Sequence, residues 1–342
     1  MLAEYDLSAL QEHGAGLTED MGSFIRKLAR GETGFPLEKI WQGAKGQIRE
    51  ALGFSLRLGV ALLAAMLFQG VQSRMGECGK GAGTVCALSG AGILVGWFGT
   101  CAAESARVAE KIRQVTEALG PILTGLLTAL GAQNTSAAFL TQAGILQTEA
   151  GWLLDEAVPS LYAASAALSV IGNLQETVRL KKMAGMLSGM AGWLCGGILA
   201  AFTTLTALSG GLTSVQDGIA LRSAQTAVDN LFPVVGGELS GALGAAAGSA
   251  LVIKQATGVT GIVLIGWMCL EPLIRLGISV VVIRAVTVLA EPAGGGNIID
   301  MAEGTMGAMK GLMAGLAASA VLIWIWLGSA MQAGRAAIAV MS

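Results

Sequence analysis

Residues 183–216, MAGMLSGMAGWLCGGILAAFTTLTALSGGLTSVQ, contain no charged side chain, and a hydrocarbon layer about 30 Å thick needs roughly 20 apolar residues to be crossed as a helix. The segment 184–208 therefore reads as a membrane span. Four more stretches, 52–72, 84–103, 152–172 and 311–332, reach the same length. Residues 84–103 are again uncharged, and 52–72 holds Arg57 near one end, where its long stem can snorkel towards water. Residues 258–290 suffice for one tilted helix or a broken pair, and the proline of Glu271-Pro272 predicts a break there, with Arg275 four positions beyond the acid.

Composition agrees with a lipid solvent. The chain is 54% hydrophobic and only 13% charged, with mean hydropathy +0.67, against the roughly 25% charged residues of a soluble domain. Charge is concentrated at the start: residues 1–50 hold six of the 21 Lys and Arg, eight of the 23 Asp and Glu, and the only histidine, His13. Residues 5–49 read as a small water-exposed helical segment, interrupted at Gly31–Pro36, with a second short helix over 37–52. Met1–Asp6 leads directly into polar sequence without the basic and apolar regions of a secretory signal. Glycine, at 50 of 342 residues, is about double its usual ~7% share, which in membrane helices permits close backbone approach.

Downstream of the uncharged run lies GLTSVQDGIALRSAQTAVDNLFPVVGGELSGALGAAAGSALVIK, residues 211–254. Charge in hydrocarbon is costly unless it faces protein or a water-filled cavity. Asp217, Arg222, Asp229, Glu238 and Lys254, with Pro233, Gly236 and Gly237 among them, are thus candidate conduit or gating positions, as are Glu271, Pro272 and Arg275. The glycines that follow Pro233 fit re-entrant hairpins or closely packed half-helices, and equally an ordinary packing face, since Gly237 to Gly241 and Gly244 to Gly248 are GxxxG spacings. The Glu271–Arg275 spacing reads first as an ion pair fixing helix register and second as a site for a translocated ion.

A short internal repetition supports this placement. Glu117-Ala-Leu-Gly-Pro121-Ile-Leu-Thr-Gly125-Leu-Leu127 aligns with Asp229-Asn-Leu-Phe-Pro233-Val-Val-Gly-Gly237-Glu-Leu239, about 112 residues on. Glu117, Pro121 and Gly125 are then the first-copy counterparts, and the duplication predicts a passage between repeat-like units at about 84–172 and 196–284. The expected fold is an all-α, polytopic membrane helix bundle with an internal repeat and Gly/Pro-broken or re-entrant segments. Its organisation is a polar extracytoplasmic segment over 1–50 and a transmembrane domain over 51–342, closed by the span 311–332.

Several function classes fall away. A net charge of −2 without a basic stripe gives no case for nucleic acid. Cys78, Cys86, Cys101, Cys195 and Cys269 form no CxxC pair and have no histidine nearby, so no metal or redox site is read, and no cofactor either. HExxH, GxSxG and P-loop patterns are absent. Asp155 and Glu156 are adjacent, which on a helix separates them by about 100° and forms no acid–base pair, and they read as lying at the mouth of a span. A non-enzymatic protein is expected. The basic run Arg179-Leu-Lys-Lys182 is assigned to the cytoplasmic side, which also puts Arg74 and Lys80 inside and the N-terminal segment outside. Arg107, Lys111 and Arg113 conflict with that orientation, although Glu104, Glu110 and Glu117 accompany them.

Asp217-Gly-Ile-Ala-Leu-Arg222-Ser-Ala, Asn230-Leu-Phe-Pro233-Val-Val-Gly-Gly237 and Ser249-Ala-Leu-Val-Ile-Lys254 resemble the stage III sporulation protein AE family of endospore-forming bacteria, as do Cys269-Leu-Glu-Pro272-Leu-Ile-Arg275 and Glu291-Pro292-Ala-Gly294. The resemblance extends over nearly the whole chain, in the N-terminal third mainly by organisation. It implies a multi-pass subunit of the channel joining mother cell and forespore, in the mother-cell-derived outer forespore membrane, with residues 1–50 in the intermembrane space. Partners implied are ring-forming subunits, a secretion-type ATPase, a forespore membrane protein and the lipid bilayer; a homo-oligomer is compatible. No catalytic residue comes with the family. Members typically begin with a signal peptide, so the external placement of residues 1–50 rests on the resemblance. Other readings are a self-contained secondary transporter or permease with a solute site between the repeats, and a scaffold anchoring the extracytoplasmic ring.

Overall fold

The computed structural model describes the backbone of residues 37–73, 80–129, 133–174, 180–231, 236–294 and 296–339, and their side chains except at 37–40, 73, 80–82, 147, 210–251, 253 and 333–339. All regular structure among these residues is helical. Helix α1 is Leu37–Ser73, α2 Lys80–Ala129, α3 Gln133–Ile145, α4 Val158–Leu174, α5 Lys181–Leu231, α6 Gly236–Ala290 and α7 Gly296–Ala339. Two π turns, Leu146–Ala150 and Leu153–Ala157, join α3 to α4, so Gln133–Leu174 forms one path. Among the described residues six helices are long and apolar enough to cross a membrane: Trp41–Gln72, Gly83–Ala129, Gln133–Leu174, Lys181–Ser209, Lys254–Ala293 and Gly296–Gln332. The five expected spans and the segment 258–290 fall one in each.

Two boundaries differ from expectation. Residues 37–50 run without interruption into the first span as part of α1, where a separate short helix over 37–52 was expected; residues 1–36 lie outside the described residues. The break expected at Glu271-Pro272 is absent, because α6 continues through Pro272, just as α2 continues through Pro121. An internal proline deletes one backbone hydrogen bond and crowds the preceding turn, at a cost of about 3 kcal/mol. Packing of α6 against α1, α2 and α7 holds the helix across that defect.

Helix α7 is the axis of the bundle. In its most apolar window 56% of residues are buried, against 17% for α5, and it packs on α6, α4, α5 and α2. Close approach to α4 depends on Gly311, where a Cβ would overlap the Tyr162 ring. The α6–α7 reversal is a single 3₁₀ turn, Glu291–Ala293, closed by Gly294 in the left-handed region at φ 79°. One contiguous apolar core runs from Leu62 and Leu94 through Leu123, Val158 and Ile283 to Trp326.

Helix contacts fix the vertical register. Gly59 lies against Val282 and Gly70 against Ala293, so α1 and α6 run parallel. The backbone N–H of Ile298 donates to Gln69 Oε1 at 3.4 Å, and Lys181 pairs with Asp300 at 3.4 Å, which gathers the α1 end, the start of α5 and the 291–294 turn at one end. At 1.5 Å per residue the 50-residue α2 is about 75 Å long, well beyond a 30 Å layer. Its uncharged part, 81–103, matches that layer, and the charged stretch 104–117 continues past it.

Candidate functional site

Polar chemistry inside the bundle collects at two crossings. The first joins α1, α2 and α6. Arg275 lies one turn beyond Glu271, yet its partner is Glu104 on α2, with side chains 16% and 30% exposed. Glu271 is exposed. The expected intrahelical pair is therefore replaced by an interhelical one, because the guanidinium points into the α2 interface, where a carboxylate offsets its desolvation. Glu50 of α1 stands 3.9 Å away but is 78% exposed and adds little. The Phe54 ring lies 5.8 Å beneath the guanidinium carbon.

One turn further along α6, Ser279 is fully buried. Its Oγ accepts a hydrogen bond from Trp97 Nε1 at 3.0 Å and lies 3.2 Å from Ser55 Oγ. Three helices thus meet on one hydroxyl, and a buried indole N–H left without its acceptor costs about 1–3 kcal/mol. Ser279→Ala is expected to destabilise the protein by that amount, seen as a lower Tm in detergent, whereas exposed Ser160→Ala is expected to leave Tm unchanged.

The second crossing joins α2, the second π turn and α7. Asp155 is half-buried there and accepts a hydrogen bond from Ser319 Oγ at 3.2 Å, while Glu156 is exposed. The adjacent acids do point apart. Asp155 borders a cleft of about 30 Å³ together with Ala109, Arg113, Thr116 and Ser319, room for a water molecule. Arg113 is held by Glu110 at 2.7 Å and by Glu117 on the exposed face of α2. Glu117, a repeat counterpart, is thus in a surface pair; Pro121 is exposed and Gly125 half-buried.

Of the other candidates, Asp217, Arg222 and Asp229 fall on α5, and Gly236, Gly237 and Glu238 on α6. Their side chains, and Pro233 altogether, lie outside the described residues. Lys254 is fully buried in α6 and Pro272 is buried. The two proline runs differ in backbone: 117–127 lies inside continuous α2, whereas 229–239 straddles the end of α5 and the start of α6. Glu104, Ser279 and Ser319 were missed in the sequence. Glu104 alone carried a signal, as the first charge after 81–103.

No group of three or more potential metal ligands occurs among the described residues. The helices and these interhelical polar contacts define a polytopic helical membrane protein. The chain belongs to the stage III sporulation protein AE family, whose model matches residues 19–334. It is similar to stage III sporulation protein AE of Bacillus subtilis (strain 168), with 25% identity over 229 residues, 66% of this chain and 57% of that protein. The match therefore spans little more than half the length of that relative. No solved structure matches the chain.

Proposed function

We propose that this chain is a non-enzymatic subunit of the mother cell to forespore channel complex, forming or gating the conduit in the outer forespore membrane. The observation that carries the reading is the family match across residues 19–334, joined to six helices able to span a membrane. The conduit arises on assembly with ring-forming subunits, a secretion-type ATPase and a forespore membrane partner, rather than as a bore through one chain. Residues 211–254, with charges between apolar stretches, and the N-terminal segment in the intermembrane space are the parts assigned to gating and partner contact.

The test is a reporter of late forespore transcription in cells lacking the chain. Expression is expected to fail there and to return with the wild-type chain. Full expression without the chain, or binding of one small solute by the isolated protein, contradicts the proposal.

A further inference from the structure

Asp155 is a half-buried acid whose charge the bundle leaves unanswered. It sits where α2, the second π turn and α7 cross, and its Oδ1 accepts a hydrogen bond from the Ser319 hydroxyl at 3.2 Å. Arg113 borders the same cleft, but its guanidinium is held by Glu110 at 2.7 Å and by Glu117. Two carboxylates on one guanidinium leave that triad net negative as well. Among the described residues no Lys or Arg pairs with Asp155. A carboxylate drawn out of water without a counter-ion is costly.

The space around it has the size and the chemistry to take a small cation. Asp155 and Ser319 border two clefts, of about 30 Å³ and about 20 Å³, each room for one water molecule. Thr116 stands on the first and Ser105 on the second. The hydroxyl hydrogens on these walls are already committed. Thr116 donates to the Ile112 carbonyl at 2.8 Å, Ser105 to the Cys101 carbonyl at 2.9 Å, and Ser319 to Asp155 or to the Gly315 carbonyl at 3.3 Å. What remains to offer a ligand is carboxylate charge and hydroxyl lone pairs, which attract a cation and repel an anion.

The backbone adds oxygens of its own. A π turn bonds residue i to i+5, and the return to i to i+4 pairing frees a carbonyl. Two such turns follow one another here, Leu146–Ala150 and Leu153–Ala157, and both border the larger cleft. Irregular helix turns whose carbonyls meet a small cation recur in membrane bundles. One carboxylate among neutral oxygens suits a monovalent ion, since Ca²⁺ takes roughly six to eight oxygen ligands. The strong field of a carboxylate favours Na⁺ over the larger K⁺.

We propose that the Asp155 cleft is a Na⁺ site, with the Asp155 carboxylate as its charged ligand, Ser319 and Thr116 as hydroxyl ligands and π-turn carbonyls completing the shell. The ion ties α2, the path from α3 to α4, and α7 together. The site goes beyond the subunit reading and does not depend on it.

Equilibrium binding of radioactive Na⁺ to the purified chain in detergent, at an ionic strength held constant with choline chloride, tests it. One ion per chain is expected to bind, displaced by Li⁺ and at least tenfold less readily by K⁺. The Tm is expected to rise with Na⁺ until the site saturates. Asp155→Asn keeps the shape and removes the charge, and is expected to lose both the binding and the Na⁺-dependent rise. Glu156→Gln, at the exposed neighbour, is expected to keep both. Ser319→Ala is expected to need about tenfold more Na⁺. Absence of saturable Na⁺ binding by the wild-type chain overturns the proposal, as does binding that Asp155→Asn leaves unchanged. A wild-type Tm indifferent to Na⁺ that rises instead on acidification assigns a proton to Asp155 and overturns it too.

Discussion

Trp326→Ala is expected to lower stability by about 4 kcal/mol, the range for deleting a large buried aromatic side chain. Trp326 is fully buried on the axial helix α7. Its ring stacks on Phe139 with centroids 4.4 Å apart and planes 9° from parallel, and Nε1 donates to the Phe139 carbonyl at 3.4 Å. Truncation opens a void between α7 and α3 and leaves that carbonyl without the indole. The Tm in detergent reports the loss, and Trp193→Ala is the control, because Trp193 is 85% exposed on α5. Equal small shifts for both substitutions contradict the packing of α3 on α7.

Arg275→Met is expected to cost about 3 kcal/mol, because it strands the Glu104 carboxylate at a largely buried helix crossing. The double variant Glu104→Gln with Arg275→Met is expected to recover much of that loss. Replacing both members of a buried pair by groups of similar shape is often close to neutral, whereas removing one is not. A double-mutant cycle on Tm measures the coupling. Additive losses contradict the pairing, and a normal Tm in Arg275→Met places the guanidinium in water. Glu271→Gln is expected to have no effect, as Glu271 is exposed.

Hydropathy alone located five of the six membrane-length helices among the described residues and left 258–290 as one helix or a broken pair, because a span is a local property: its length and lack of charge are written in consecutive residues. Helix ends were less visible. Pro272 and Pro121 are local break signals, but neighbouring helices decide whether a helix survives them, and both survive here. Partners were the least legible. Glu271 is the acid nearest Arg275 in sequence, yet Glu104, 171 positions away, takes the contact. Ser279 looks like any small residue of an apolar helix until Trp97 and Ser55 converge on it.

The central claim is that this chain works as a membrane-embedded part of a larger sporulation assembly. Affinity purification of the tagged chain from detergent-solubilised membranes of sporulating cells, followed by quantitative mass spectrometry, tests it most directly. The account predicts recovery of ring-forming subunits and the secretion-type ATPase in amounts comparable to the chain. Recovery of the chain alone, at the size of one copy in its detergent belt, contradicts it.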